Sequence, residues 1–182
     1  MLNNWVVAPT CLPLVLHRCH TCASERFRTS GEFRVNAHHK AIDAWLLALC
    51  TACGDTAKFT VLERMKVRSV RPELLDRLHD NDPGLAAELL RDPVVRRRNR
   101  IALDWDGAWS LDTGGSDHLG REVIDVSVRF AAPIPVRPVR LIAEGCGLSR
   151  AEVERLITEG NLVSAVRLSG KLSGDFTFTL KR

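Results

Sequence analysis

The sequence lacks any apolar run long enough to cross a bilayer, and its amino end has no basic leader. Pro9 and Pro13 interrupt the short apolar runs that precede Leu16, so a secretory signal is not expected. Internal repeats and low-complexity tracts are also missing. We therefore expect a cytoplasmic protein without a membrane partner.

Recognisable catalytic motifs are missing as well: there is no Gly-x-Ser-x-Gly, no P-loop and no dinucleotide-binding fingerprint. The nearest candidate is the polar, glycine-rich run Thr113-Gly114-Gly115-Ser116-Asp117-His118. A run of this kind is more often an ordinary loop than a nucleophile with its base. We expect a protein that is not an enzyme.

The composition is that of a folded protein, since 45% of the 182 residues are hydrophobic and 26% are charged. A disordered or collagen-like chain is thereby excluded. The net charge of +4 and the pI near 8.9 are mildly basic. They are compatible with a nucleic-acid partner but are below what a histone-like protein would carry.

Four of the six cysteines form two Cys-x-x-Cys pairs, Cys19 with Cys22 and Cys50 with Cys53. Each pair can direct two sulfur atoms at one point, and together the pairs supply a tetrahedral set of thiolates. The spacing predicts one structural zinc ion per chain, bound in a zinc ribbon. Iron in a rubredoxin-like site, a thiol redox pair and free cysteines are the alternatives.

Other side chains near these pairs are not expected to bind the metal. The histidines are interpreted as knuckle and loop residues, because four thiolates already complete the site. The two remaining cysteines are interpreted as small buried apolar residues. The residues concerned are His17, His20, His38 and His39, and Cys11 and Cys146.

The pattern of elements predicts an α+β protein in three segments. Residues 1–66 are expected to form the zinc-ribbon β-sheet, with extended runs at 27–36, 41–49 and 58–63. Residues 67–135 are expected to be a mixed helical and β-hairpin segment. Residues 136–182 are expected to be a helix-turn-helix followed by a terminal strand at 173–180.

Local signals place the helices and turns of the middle segment. Pro72, Pro83 and Pro93 can each occupy a first helical turn, and Asp82 and Asp92 are candidate caps. Asp106-Gly107 is typical of a tight hairpin turn, which predicts paired strands at 101–105 and 108–111. A further strand is expected over 123–130.

The carboxy-terminal segment contains two predicted helices. Pro138 opens the first, Gly145 and Gly147 mark its end, and Ser149 with Glu152 forms a capping box for the second. Arginines in or near this unit could bind a phosphate backbone. These candidate contacts are Arg137, Arg140, Arg150 and Arg155.

Two simpler interpretations remain open for the basic residues. The arginines of the helix pair could form a solvated face, offset by nearby glutamates such as Glu152 and Glu154. The densest basic run, which comprises Arg96, Arg97, Arg98 and Arg100, lies on a short predicted helix and is expected to be merely exposed.

The run from Ser149 to Gly160 resembles the RNA-binding module shared by small-subunit ribosomal protein four, pseudouridine synthases and tyrosyl-tRNA synthetases. Ser169-Gly170-Lys171 is similar to a later part of that module. The first helix opens with Arg137-Pro138-Val139, where the module usually has Arg-Leu-Asp. This resemblance implies an RNA-binding fold at the carboxy end.

Nearly the whole chain resembles a bacterial family of unassigned function, the domain-of-unknown-function family numbered 1062. The resemblance depends on the runs Phe33-Arg34-Val35-Asn36-Ala37, Asp43-Ala44-Trp45-Leu46 and Thr60-Val61-Leu62-Glu63-Arg64. It supplies no activity. We therefore expect a non-enzymatic protein that binds RNA or a ribonucleoprotein; a DNA-binding regulator and a protein-interaction adaptor are the alternatives.

Overall fold

The computed structural model describes residues 2–115 and 122–181, and within these ranges the protein has five α-helices and two β-sheets. The predicted α+β class is confirmed. The strands are β1 (Leu2–Pro9), β2 (Leu14–Leu16), β3 (Arg26–Arg28), β4 (Phe33–His38), β5 (Ala41–Cys50), β6 (Thr56–Lys66), β7 (Ala102–Asp104), β8 (Trp109–Asp112), β9 (Val123–Phe130), β10 (Leu162–Ser164) and β11 (Phe176–Lys181). The helices are α1 (Pro72–His79), α2 (Pro83–Arg91), α3 (Pro93–Asn99), α4 (Pro138–Cys146) and α5 (Arg150–Thr158).

The chain divides into two compact units. One comprises Leu12–Asp104, here called the cysteine unit, and the other combines Met1–Cys11 with Trp105–Arg182, here called the split unit. These boundaries differ from the three-segment division at residues 66 and 135. The difference arises because β1 pairs in parallel with β9 and antiparallel with β8, which places the amino-terminal strand in the sheet of the carboxy-terminal half.

The cysteine unit is built on a sheet of order β4-β5-β3-β2-β7, and β6 pairs with β5. Alternate residues of β5, including Ala44, Leu46 and Ala48, point into the core. Leu78 of α1 and Leu90 of α2 pack against this same face of the sheet. Helices α1 and α2 therefore cover this face, because their apolar stripes need that partner, whereas α3 packs against α2 and β6.

The predicted helix starts are confirmed in this unit. Pro72, Pro83 and Pro93 each stand at the first helical position. The carboxylate of Asp82 accepts the backbone N–H of Gly84, and that of Asp92 accepts the N–H of Val94, at 2.7 Å in both cases. Each cap satisfies a donor that would otherwise have no partner in the first turn.

The split unit contains a sheet of order β10-β11-β9-β1-β8, with helices α4 and α5. The predicted capping box is confirmed: Glu152 N–H donates to the Ser149 hydroxyl, and Ser149 N–H donates to the Glu152 carboxylate. Helix α4 ends at Cys146, and Gly147, which caps it, has a φ of 65°. Gly145, predicted as part of that end, instead lies within the helix.

The predicted hairpin around Asp106-Gly107 is wrong, although its turn is present. The N–H of Ala108 donates to the carbonyl of Trp105 at 3.1 Å, and Gly107 has a φ of 78°. However, β7 pairs with β2 in one sheet and β8 pairs with β1 in the other. A turn motif fixes the local chain reversal, but more distant strands supply the pairing partners here.

Two further differences concern strands. The extended run predicted over 27–36 is divided into β3 and β4 by a bend in which Gly31 has a φ of 91°. Strands β1 and β10 were not predicted.

Among the described residues, every helix is too short or too polar to cross a membrane.

Candidate functional site

The two Cys-x-x-Cys turns have the same backbone geometry. Cys19 N–H donates to Ser24 O and Cys19 O accepts from Ala23 N–H, at 2.7 and 3.1 Å. The second turn repeats this arrangement: Cys50 N–H donates to Asp55 O and Cys50 O accepts from Gly54 N–H, at 2.8 and 3.0 Å. The residue that closes each turn has a positive φ, 61° for Ala23 and 75° for Gly54. Glycine suits this left-handed conformation because it has no Cβ atom.

These turns bring the four predicted sulfur ligands together. All four Sγ atoms, of Cys19, Cys22, Cys50 and Cys53, lie within 4.8 Å of one another. Two sulfur contacts join the turns: Cys19 Sγ is 3.7 Å from Cys53 Sγ, and Cys22 Sγ is 3.6 Å from Cys50 Sγ. The cysteines are free, so no disulfide holds this arrangement.

The sulfur spacing fits a metal ion. A tetrahedral Zn–S₄ site with bonds of about 2.3 Å has sulfur atoms about 3.8 Å apart, close to the two distances between the turns. A disulfide would require a separation of about 2.05 Å. Cys19 and Cys50 are buried while Cys22 and Cys53 are exposed, so the cluster lies at the edge of the core.

Electrostatics within the cluster also favour a cation. The backbone N–H of Cys53 lowers the pKa of the Cys50 thiol to about 6, and the N–H of Ala52 acts in the same direction. At Cys53 the backbone N–H of Asp55 lowers the pKa, but contact with the Cys22 thiol and burial outweigh it and raise the value to about 12. Crowded thiols therefore resist carrying several negative charges unless a positive ion lies between them.

Side chains tie the two turns to each other and to the sheet. The Thr21 hydroxyl donates to Asp55 Oδ2 at 2.8 Å, which links the first turn to the residue that follows the second. The N–H and hydroxyl of Thr51 both donate to the carbonyl of Arg26 in β3, at 2.9 and 3.1 Å. Hydrogen bonds that do not involve the sulfur atoms thus also join the two turns and the sheet.

A second candidate site is a cleft of about 890 Å³ in the split unit. Helices α4 and α5 and the loop before β11 line it. Three of the four predicted phosphate contacts, Arg137, Arg140 and Arg150, lie in its lining. Arg155 does not, and its guanidinium is 3.9 Å from Glu159. Arg167 and Lys171 join the cleft from the loop, which brings its basic side chains to five.

One of these arginines is positioned by two neighbours. Arg140 Nη1 lies 2.8 Å from Asp106 Oδ1, and its guanidinium carbon lies 5.5 Å from the ring centroid of Trp109. An arginine over a tryptophan face is stabilised by the ring quadrupole. Glu154 is the other acidic residue in the lining, so cations outnumber carboxylates in this cleft.

Comparison with protein families identifies the chain. A family model described as "Protein of unknown function (DUF1062)" matches residues 35–168. The chain belongs to the DUF1062 family. The match includes Cys50 and Cys53 and both helices of the basic cleft, and it begins after Cys19 and Cys22. No curated protein and no solved structure matches the chain.

The histidines of this DUF1062 protein that precede residue 40 lie outside the cysteine cluster. Among the described residues, the metal-ligating atoms that lie close together are the sulfur atoms of the four cysteines. His17 packs against the rings of Phe27 and Phe59, with centroids 5.9 and 5.6 Å apart. The exposed rings of His38 and His39 lie against each other instead.

Two predictions about single residues have different outcomes. Cys146 is buried as predicted. The prediction for Cys11 is wrong, because Cys11 is exposed in the bend that follows β1. In the glycine-rich candidate loop, Gly114 N–H donates to Asp112 Oδ1 at 2.9 Å. Ser116, Asp117 and His118 lie outside the described residues.

Sequence reasoning missed Arg167 and Lys171 as members of the cleft. A signal was present, because Ser169-Gly170-Lys171 resembles a later part of the ribosomal-type RNA-binding module. The basic run on α3 has a different setting, since Arg96, Arg97 and Arg98 are exposed while Val95 is buried. That run is not part of the cleft.

Proposed function

We propose that this protein is a non-enzymatic RNA-binding protein whose amino-terminal sheet is a zinc ribbon. The observation that supports RNA binding is the collection of five basic side chains in one cleft beside the Trp109 ring. Phosphate groups bind such clusters of guanidinium and ammonium groups, and aromatic rings accept bases. The zinc assignment is supported by the sulfur geometry.

The metal would have a structural role. Cys19, Cys22, Cys50 and Cys53 would fill all four positions of a tetrahedral ion, so no position is left for water or substrate. In small units of this kind zinc contributes apparent free energies of about 10–16 kcal/mol, enough to decide whether the surrounding strands fold. β5 and β6 would gain most, because β5 leads directly into the second turn and β6 directly out of it.

Elemental analysis of the purified protein tests this part. We expect about one zinc per chain and a colourless solution; a red, iron-loaded protein would replace zinc by a rubredoxin-like site. Cys50→Ser is expected to lose the metal and lower the unfolding temperature. Cys11→Ser is the matched control, because that cysteine is exposed and is not one of the four that cluster. Equal stability and no stoichiometric metal in both variants would contradict the proposal.

The cleft would bind the ligand through its phosphates. Arg137 and Arg150 are exposed and, within the described residues, make no ion pair, so their guanidinium groups can approach a backbone without breaking an existing bond. Arg140 is held by Asp106 and Trp109, which keeps its guanidinium in one place. Helices α4 and α5 would thus act as a helix-turn-helix that presents its arginines from two sides.

RNA binding is tested by measuring the affinity for a structured RNA over a range of salt concentrations. Phosphate-driven binding weakens with salt, and each lost phosphate contact lowers the slope of log affinity against log salt by about 0.7–0.9. We expect this reduction for Arg150→Ala and for Arg137→Ala. Arg155→Ala is the control, because Arg155 is on the same helix as Arg150 but outside the cleft.

The same titration separates the alternatives. Tighter binding of duplex DNA than of RNA would favour a DNA-binding regulator, which would place α5 in the major groove. No detectable binding of either nucleic acid at low salt would leave the protein-interaction adaptor. Equal losses for Arg150→Ala and Arg155→Ala would show that overall charge, and not the cleft, governs binding.

A further inference from the structure

The central strand of the cysteine unit is apolar on both faces. Its even-numbered residues lie in the core, but Trp45, Leu47 and Leu49 point to the opposite face and belong to no part of that core. Leu49 is 54% exposed, and Trp45 and Leu47 are half-buried. An antiparallel sheet with one solvated face usually has polar residues at these positions. Three consecutive outward positions with large apolar side chains indicate an interaction surface.

Basic residues flank this apolar stripe. In an antiparallel sheet, residues directly opposite each other share a face. Trp45 pairs with Arg34 of β4, Leu47 with Lys58 of β6, and Leu49 with Arg28 of β3. We call this surface, formed by Trp45, Leu47, Leu49, Arg28, Arg34 and Lys58, the tryptophan face.

The cations of the tryptophan face are available to a ligand. Arg28, Arg34 and Lys58 are exposed, and none makes an ion pair with another described residue. The carboxylate of Asp43 lies next along β5, and its Oδ1 accepts the backbone N–H of Arg64 at 2.7 Å. Glu32 adds a second carboxylate beside the stripe, since its carbonyl accepts the N–H of Leu47 at 2.9 Å. The three cations outnumber these two carboxylates, which favours a negatively charged partner over a neutral apolar one.

We propose that the tryptophan face binds a single-stranded segment of RNA, with one base stacked on Trp45 and the adjacent phosphates at Arg34 and Lys58. A strand-to-strand spacing of about 4.8 Å keeps these cations within reach of a nucleotide stacked on the ring. Stacking requires an unpaired base, because the bases of a duplex are already stacked on each other. The identity of the ligand rests on the proposed function, but the surface lies in the cysteine unit and shares no residue with the cleft.

The test compares a fluorescein-labelled uridine oligomer with a duplex RNA of the same length. Trp45→Leu removes the ring and is expected to weaken binding of the single strand about tenfold, with the duplex affinity unchanged. Trp45→Phe restores an aromatic face and is expected to recover most of the loss. Full binding of the oligomer by Trp45→Leu, or an equal loss for both substitutions, would overturn the proposal.

Two double variants that each remove two positive charges provide a second measurement. It tests the proposal even if Trp45→Leu unfolds. The double variant Arg34→Ala/Lys58→Ala should lower both the affinity for the oligomer and its salt slope. Arg68→Ala/Arg71→Ala removes the same charge from exposed positions outside the strands and should have a smaller effect. Equal effects of the two pairs would overturn the proposal.

The cleft variants distinguish the two proposals. If Arg150→Ala lowers oligomer binding and the Trp45 and Arg34/Lys58 variants do not, the tryptophan face is excluded and the cleft retained. The opposite pattern retains the face and excludes the cleft. If the native protein binds no nucleic acid at low salt, both proposals fail. A change in oligomeric state for Trp45→Leu with RNA binding intact would identify the face as a self-association surface and overturn the proposal.

Discussion

Gly145 on helix α4 lies directly against the ring of Trp5 on strand β1. A Cβ atom at position 145 would overlap the six-membered ring, because its distance to the ring carbons would be shorter than any that real Cβ atoms show. The ring cannot easily move, because Trp5 is only 4% exposed and packs edge-to-face on Phe178, with ring centroids 5.4 Å apart. The missing side chain of Gly145 is what allows the helix to approach the sheet of the split unit.

Gly145→Ala is therefore expected to destabilise the protein. Overpacking of a rigid core costs about 1–3 kcal/mol, which exceeds the gain of roughly 1 kcal/mol in helix propensity from glycine to alanine. Urea unfolding measures the effect, and Glu144→Ala, at an exposed position of the same helix, is the control.

Adding Trp5→Leu to Gly145→Ala should make the two losses less than additive, since the smaller side chain leaves room for the methyl group. Strict additivity would show that the two residues do not act on each other. If Gly145→Ala leaves the free energy of unfolding unchanged, the sheet can move away from the helix without a loss of stability.

The same glycine shows what the sequence could and could not predict. Helix starts, the Ser149 capping box and the two cysteine turns depend on neighbouring residues, and all were predicted correctly. Gly145 was interpreted as a helix end, because a glycine with a distant packing partner looks the same in sequence as a terminal one. The pairing of β1 with β9 was not predicted, because the two strands are more than a hundred residues apart.

The candidate sites follow the same division. Both cysteine pairs carry their own geometry, so the clustering of these four residues follows from their spacing alone. The cleft depends on the loop before β11 folding back beside α4, and Arg167 and Lys171 have no spacing rule that relates them to Arg137. The tryptophan face required the register of β4, β5 and β6.

The positive φ at Gly54 predicts a second effect on stability. No atom lies within 4 Å of a Cβ built at this position, so Gly54→Ala tests the backbone conformation alone. A left-handed alanine costs about 1–2 kcal/mol, and we expect a loss of about 1 kcal/mol, with weaker retention of the proposed zinc ion against a chelator.

Ala23 occupies the equivalent position of the first turn at a φ of 61°, so Ala23→Gly is the matched reverse change. Relief of strain there is offset by about 0.4–1 kcal/mol of added freedom in the unfolded chain, so stability should change little or rise slightly. A marked loss for Ala23→Gly, or none for Gly54→Ala, would contradict this account.

A dependence of stability on acid pH is expected from Arg77. Its guanidinium bonds both oxygens of Glu88, at 2.9 and 3.1 Å, and also the carboxylate of Asp82. These hydrogen bonds lower the pKa of Asp82 and of Glu88 below their ordinary values of 3.8 and 4.5. Because the folded state releases these protons more readily, the stabilisation is fully present above pH 4.5 and is lost as the pH falls through the lower, folded-state pKa values.

Arg77→Met should accordingly lower stability at neutral pH and flatten the fall in stability below pH 4.5. Urea midpoints at neutral pH and at several acid values measure both effects. Arg91→Met, at the end of α2, is the comparison variant and should flatten the fall less, since the Arg91 guanidinium bonds a backbone carbonyl at 2.9 Å and lowers the pKa of Glu88 only through its charge. Parallel acid profiles for the native protein and Arg77→Met would contradict the prediction.

Asn99, the last residue of α3, holds the free edge of β6. Its Oδ1 accepts the backbone N–H of Thr60 at 2.7 Å, and its Nδ2 donates to the carbonyl of the same residue at 2.9 Å. The side chain thus replaces the neighbouring strand that an edge lacks. Asn99→Ala would leave both groups of a half-buried backbone unpaired, at a cost of about 1–3 kcal/mol.

Hydrogen exchange at the Thr60 amide is the most direct measurement, because exchange there should accelerate in Asn99→Ala more than the change in global stability requires. Asn99→Asp keeps the acceptor for Thr60 N–H but loses the donor to its carbonyl, so we expect an intermediate effect. Arg98→Ala changes an exposed neighbour and should remain within about 0.5 kcal/mol of the native protein. If Thr60 exchanges at the native rate in Asn99→Ala, water has replaced the side chain and the edge does not depend on Asn99.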